Sequence, residues 1–319
     1  WGMGQSPYGG SALHAPPLYL ALVGPLVANA PAGLVASVPF IVADLVAAAA
    51  IHRVATASTQ TADAADASPT TPAWTVALFL ANPFSIASCA AASSAGFRAA
   101  ALAVSLAGAV EGTPVAAGAG VAALAYLGDP TCAALTVPSL ARAMAREGGF
   151  GTGTGKKGKG KGKGRAGAED AVNAAVVHLC AWIVGWIVAL VGVSQAVMSN
   201  AKVASMDWIR ATYGFRLVAE DLSPNLGCFW YFFTEMFDNF RVFFLFAFDY
   251  FPVVLCVPVV VRLGADEPVF CVFIARLLCV VFSPYPTLGD AAGYLALLPL
   301  FRASLAGVGG FGYLVCAGY

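Results

Sequence analysis

The chain has 319 residues, 59% of them hydrophobic and only 11% charged, with a formal net charge of zero. A soluble domain averages about 25% charged residues, so this composition excludes an ordinary soluble domain. The balanced charge gives no sign of a nucleic-acid partner.

Residues 1–17, WGMGQSPYGGSALHAPP, are rich in Gly, Pro and Ser and read as a loop. The first residue is Trp1 and no charged leader region precedes the first apolar run, so a leader or first helix is expected to lie outside this stretch. Residues 18–52 then stay apolar for about 52 Å of helix, too long for one pass of about 30 Å and too short for two. Pro25, Pro31 and Pro39 predict a broken or re-entrant arrangement there. A polar loop over 53–72 is followed by apolar stretches at 73–97, 99–127 and 131–145.

Residues 148–167, GGFGTGTGKKGKGKGKGRAG, carry six of the seventeen Lys and Arg and have nothing to bury, which predicts a flexible loop. The positive-inside rule puts that loop in the cytosol. Gly153, Gly158 and Lys159 fit GxxxxGK, but Gly160 stands where Ser or Thr would meet magnesium, so a solvated linker is the better reading. Lys156 and Lys157 are candidates for contact with anionic headgroups. Beyond the loop come a helix near 171–197, an amphipathic connection at 198–222, and apolar stretches near 228–262, 268–284, 287–301 and 303–319. Eight to ten helical segments in one transmembrane domain are expected, and long unalternated segments favour helices over a barrel.

Chemistry-bearing residues are sparse. The eight cysteines stand singly, with no CxxC or Cys/His cluster, so neither a zinc site nor a disulfide framework is indicated. His14, His52 and His178 lie far apart without ligands at metal spacing, and no hydrolase motif or cofactor motif accompanies them. Asp44 is a lone charge in an apolar run, and a headgroup position or a bond to a neighbouring helix accounts for it. Asp290, after SPYPTLG, suits a helix first turn, where a carboxylate accepts backbone N–H groups; substrate contact is its second reading.

One segment groups its charges. In CFWYFFTEMFDNFRVFF, 228–244, helical spacing puts Glu235, Asp238 and Asn239 on one face, with Arg241 placed to pair with Asp238 and aromatic rings elsewhere. Such a helix could lie at the interface with its stripe in water, or wall a cavity that holds an amphiphile. Both readings stay open on spacing alone.

Four segments, GQSPYGGSALHAPPLYL (4–20), ANPFSIASCAAASSAGF (81–97), DLSPNLGCFWYFFTEMFDNFRVFF (221–244) and SPYPTLGDAAGYLALLPLF (283–301), occur in family order. Together they resemble subunit U of the glycosylphosphatidylinositol (GPI) transamidase, the PIG-U family. The resemblance implies an all-α polytopic bundle similar to the GT-C glycosyltransferase membrane fold, with further helices beyond both ends of this stretch. It also implies a noncatalytic, multi-pass subunit of an endoplasmic-reticulum complex whose nucleophile sits on a separate caspase-like subunit, and which attaches GPI anchors to proteins. The other transamidase subunits, the membrane and the GPI lipid are the implied partners. Implied lipid-site residues are Asn225, Phe233, Glu235, Phe237, Asp238, Asn239, Arg262 and Asp290. The alternative is a GT-C mannosyltransferase acting on lipid-linked sugars. It suffers because residues 1–43 hold no carboxylate and His14 is followed by Ala15, Pro16 and Pro17 where the family tends to carry His-Glu before a proline.

Overall fold

The structure, a computed structural model, describes residues 7–8, 13–29, 34–61, 71–147, 165–200, 207–219, 224–225, 227–236 and 238–301. Its elements in those residues are all helices. They are α1 Pro17–Asn29, α2 Leu34–Thr61, α3 Thr71–Leu80, α4 Pro83–Ala90, α5 Ala95–Val110, α6 Pro114–Tyr126 and α7 Pro130–Glu147. After them come α8 Arg165–Asn200, α9 Asp207–Ile209, a π-helical turn Arg210–Gly214, α10 Phe215–Val218 and α11 Cys228–Thr234. A 3-10 turn Asp238–Phe240, α12 Arg241–Leu263, α13 Pro268–Val281, α14 Leu288–Leu295 and a 3-10 turn Leu298–Phe301 complete the order. This is the all-α membrane architecture expected from composition.

Of the three prolines in the first apolar run, Pro25 lies inside α1 and Pro39 inside α2. Pro31 falls outside the described residues. Helix α2 continues to Thr61, into the stretch read as a polar loop. The hydroxyls of Thr56 and Ser58 donate to the carbonyls of His52 and Val54 one turn back, so these small polar residues are accommodated in the helix. The run over 73–97 is bent: α3 and α4 meet at 47°, where Asn82 accepts from the Phe84 amide at 2.9 Å and Pro83 starts the new helix.

The core is built from the shorter helices together with α2. Helix α5 packs most extensively against α6 and α2, and α7 joins α13, with Leu102, Leu106, Leu124, Leu140 and Phe273 buried between them. Glycine permits the α5–α6 approach: a Cβ at Gly120 would lie 2.5 Å from both the Ala101 carbonyl oxygen and the Ser105 nitrogen. Small residues bring membrane helices close because dispersion contacts must replace the hydrophobic drive that lipid removes. Two of the long apolar helices are peripheral, the apolar window of α8 being only 6% buried and that of α12 17%, whereas that of α2 is 50% buried.

Contacts define two ends of the bundle. The last turn of α7 meets the end of α12, where Arg142 donates to the Val260 carbonyl at 3.2 Å and Arg146 to that of Ala265. The first turn of α7, about 27 Å away by helix rise, meets the 207–219 segment through Arg216 and Asp129. The start of α12 is tied to that same segment, since Arg241 donates to the Ala219 carbonyl at 2.7 Å. On the flank, Arg53 pairs with Glu111, but Arg53 is 61% exposed, so a double-mutant cycle on the two is expected to give about 0.5 kcal/mol or less by thermal melting.

Candidate functional site

Five charges meet where α5, α7, α10, α13 and α14 converge. Arg98 donates to Asp290 from Nε at 3.1 Å and from Nη2 at 2.9 Å, and its Nε lies 3.3 Å from Asp129 Oδ2. Arg276 spans both carboxylates, from Nη1 to Asp129 at 2.8 Å and from Nη2 to Asp290 at 2.6 Å. Arg216 donates from Nη1 to Asp129 and to the Gly128 carbonyl, and from Nη2 to Ser283 at 3.3 Å. Arg98, Arg276, Asp129 and Asp290 are all buried. Burial alone would raise the Asp129 carboxyl, but Arg216, Arg276 and Arg98 outweigh it and hold that group well below the usual carboxylate range. Three guanidiniums face two carboxylates, so the cluster carries one excess positive charge.

Local structure sets Asp290 in place. Thr287 and Asp290 form a reciprocal capping box at the start of α14, with the Thr287 hydroxyl 2.7 Å from the carboxylate. The expected capping role is therefore present, joined by two arginines that the sequence reading did not assign. Both Asp290 oxygens accept hydrogen bonds within the protein, from Arg98, Arg276 and Thr287.

Beside the cluster lies a cavity of about 200 Å³ lined by His14, Tyr19, Ser94, Arg98, Thr212 and Arg216, together with Tyr285 and Thr287. Three of the four family-like segments supply walls: 4–20 through His14 and Tyr19, 81–97 through Ser94, and 283–301 through Tyr285 and Thr287. The fourth, 221–244, is fastened to that wall, because Asn225 donates to the Pro284 carbonyl at 3.2 Å and accepts from the Gly227 amide at 2.8 Å. His14 is fixed by donating from Nδ1 to the Ala211 carbonyl at 2.9 Å and by stacking on Phe215 at 3.5 Å, which itself stacks on Tyr285 at 4.7 Å. The start of α1 is held through Tyr126, whose hydroxyl accepts from the Leu18 amide at 3.1 Å. The Ser194 hydrogen goes to the Leu190 carbonyl, so Tyr126 donates to Ser194 at 2.6 Å.

The aromatic segment differs from its expected form. A single striped helix over 228–244 does not exist: α11 ends at Thr234, and α12 begins only at Arg241. The Thr234 hydroxyl bends back to the Trp230 and Tyr231 carbonyls at 3.1 and 2.9 Å, and Phe229, Phe233 and Phe248 pack together, folding α11 onto α12. Glu235 and Asn239 are exposed at the break. Phe233, expected at the lipid site, is buried and stacks on Phe229 at 4.2 Å. Arg241 donates to the Ala219 carbonyl at 2.7 Å. Phe237, the Asp238 side chain, Lys156 and Lys157 lie outside the described residues.

Arg262 is exposed at the far end of α12, about 30 Å from the break by helix rise, so it does not share a site with Glu235. An exposed aromatic strip is nevertheless formed by Tyr231 of α11, Phe240 of the 3-10 turn, and Phe243, Phe246 and Tyr250 of α12, with the Phe246 and Tyr250 rings 4.3 Å apart. Asp44 lines a different cavity with Ser85 and Cys89. Among the described residues no three His, Cys, Asp or Glu side chains gather as metal ligands. Sequence reading missed Arg98, Asp129, Arg216 and Arg276; the available signal was that several are solitary charges in apolar surroundings, where an ionisable group needs a partner.

A family model for GPI transamidase subunit PIG-U matches residues 1–319. The GPI-anchor transamidase component PIGU of Homo sapiens is 38% identical over 125 residues, covering 38% of this chain and 28% of that protein. The GPI transamidase component GAB1 homolog of Schizosaccharomyces pombe is 41% identical over 99 residues, 31% of this chain and 24% of the relative. For GAB1 of Saccharomyces cerevisiae the figures are 37% over 122 residues, 36% and 28%. Each alignment thus spans under a third of the relative's length. With a family match running from the first residue to the last, the chain belongs to the PIG-U family of GPI transamidase subunits.

Proposed function

We propose that the chain is a noncatalytic subunit of a GPI transamidase in the endoplasmic-reticulum membrane, and that it helps recognise and position the GPI lipid beside a caspase-like catalytic subunit. The observation that carries this reading is the convergence of the family-like segments at one end of the bundle, beside an exposed aromatic strip. The strip suits acyl chains, and Glu235, Asn239 and Asn225 suit the polar headgroup.

Topology supports it. Helix α7 ends at Glu147 and α8 starts at Arg165, on either side of the basic segment and at the end of the bundle opposite Asp129 and Arg241. If the positive-inside rule holds that segment in the cytosol, the aromatic break and the charge cluster belong to the luminal end, where a GPI glycan lies. A mannosyltransferase is less favoured: the buried carboxylates Asp129 and Asp290 are each clasped by guanidiniums, which makes them poor general bases.

The test replaces Glu235 and Asn239 by Ala in the assembled complex. GPI recovered with the complex should fall roughly tenfold, the value of one or two hydrogen bonds to charged or polar headgroup atoms, while the subunits still co-purify. Loss of co-purification with lipid retained would instead make this surface a contact between subunits.

A further inference from the structure

The charge cluster has one guanidinium more than its carboxylates can neutralise, and its open side is the cavity at His14 and Thr212. Asp249 lines a neighbouring cavity on another face of Arg216 and is not among the groups around this one. Arg216 is part-exposed while Arg98 and Arg276 are buried, so the excess positive charge borders that opening, where an anion would offset it.

Residues with unspent donors line the same space. Arg98 gives hydrogen bonds to Asp290 and, from Nη1, to Ser94 at 2.9 Å, and Arg216 to Asp129, Gly128 and Ser283; a guanidinium has five N–H donors, so each keeps capacity for another acceptor. Ser94 accepts from Arg98, which leaves its own hydrogen to give. Thr212 is the independent observation. It is 3% exposed, lines the cavity, and its hydroxyl has no hydrogen-bond partner. A buried hydroxyl without a partner calls for a ligand or a function. Thr212 sits in the π-helical turn Arg210–Gly214, a local widening of the kind that recurs at functional sites.

From this geometry we infer that the cavity binds a phosphoryl group, gripped by Arg98 and Arg216 and receiving hydrogen bonds from the Thr212 and Ser94 hydroxyls. Guanidinium forks match phosphate oxygens in shape and charge. A cavity of about 200 Å³ exceeds several waters' share of liquid volume, about 30 Å³ each, so one phosphoryl group and the start of its substituent fit. A phosphodiester carries the single negative charge that balances the cluster, which makes a lipid headgroup the favoured source over free phosphate. Only that choice of source rests on the proposed GPI role.

The test uses the full chain in detergent micelles, free of phosphate, titrated calorimetrically with dihexanoyl phosphatidylinositol, with sodium phosphate, and with dihexanoylglycerol. Thr212→Val is the key variant, because it keeps the side-chain shape and removes no existing hydrogen bond, so its helix melting curve should match the parent. Saturable phosphatidylinositol binding that weakens about tenfold in Thr212→Val, with no binding of dihexanoylglycerol, establishes the site and its lipid source. Binding of sodium phosphate alone, weakened by the same variant, keeps the phosphoryl site and overturns the lipid source. Affinity indifferent to Thr212→Val, equal binding of dihexanoylglycerol, or no binding of either phosphate overturns the site. None of these readings depends on GPI recovery in the Glu235 and Asn239 variant, so either proposal can fail alone.

Discussion

Asp290→Ala should destabilise the protein by about 3–5 kcal/mol, the usual cost of removing one member of a buried ion network. The carboxylate holds Arg98 and Arg276 and caps α14, so one substitution removes three supports. It also leaves three guanidiniums against the single carboxylate of Asp129, raising the local excess from one charge to two. Stability of a domain is only about 5–15 kcal/mol, so most of the margin goes. Helix melting followed by circular dichroism in micelles should show a large drop in midpoint. Adding Arg98→Leu restores the excess to one charge, and the double variant should recover part of the loss. A single variant that melts with the parent would mean that the network contributes nothing.

The second large effect lies where charge plays no part. Gly120→Val should cost about 3 kcal/mol or more, above the middle of the range for overpacking, because the new side chain meets backbone rather than a side chain that can swing away. Helices α5 and α6 would have to separate, disturbing Leu102, Leu106 and Leu124 together. Gly185→Ala on the outer face of α8 is the matched control: a Cβ there has nothing within 4 Å, so its melting curve should stay at or slightly above that of the parent.

The sequence carried the fold class plainly, because apolar runs with almost no charge have few solutions in lipid. Capping by Asp290 was legible too, since the Thr287–Asp290 spacing is local. The aromatic segment was misread for a physical reason. Periodicity places Glu235, Asp238 and Asn239 on one face only if the helix is unbroken, whereas packing of Phe229 and Phe233 on Phe248 turns the chain at Thr234. Arg98, Asp129, Arg216 and Arg276 could not be grouped from spacing, because their meeting depends on which helices neighbour one another in space. Arg262 shows the converse: it is close to the aromatic run along the chain, yet a whole helix length separates the two.

The contrast in length between α2, α8 and α12 and the short central helices bears on how the protein is made. Helices α5 and α6, with 16 and 13 residues, rise only about 24 and 20 Å, less than the hydrocarbon thickness of about 30 Å. Neither can partition into lipid as an independent stable span, whereas α2, α8 and α12 have the length and hydropathy to do so. By length, α2, α8 and α12 are expected to become membrane-resident on their own, and α5 and α6 to consolidate against α2 afterwards. Until then Arg98 waits without Asp290, which lies 192 residues further along the chain.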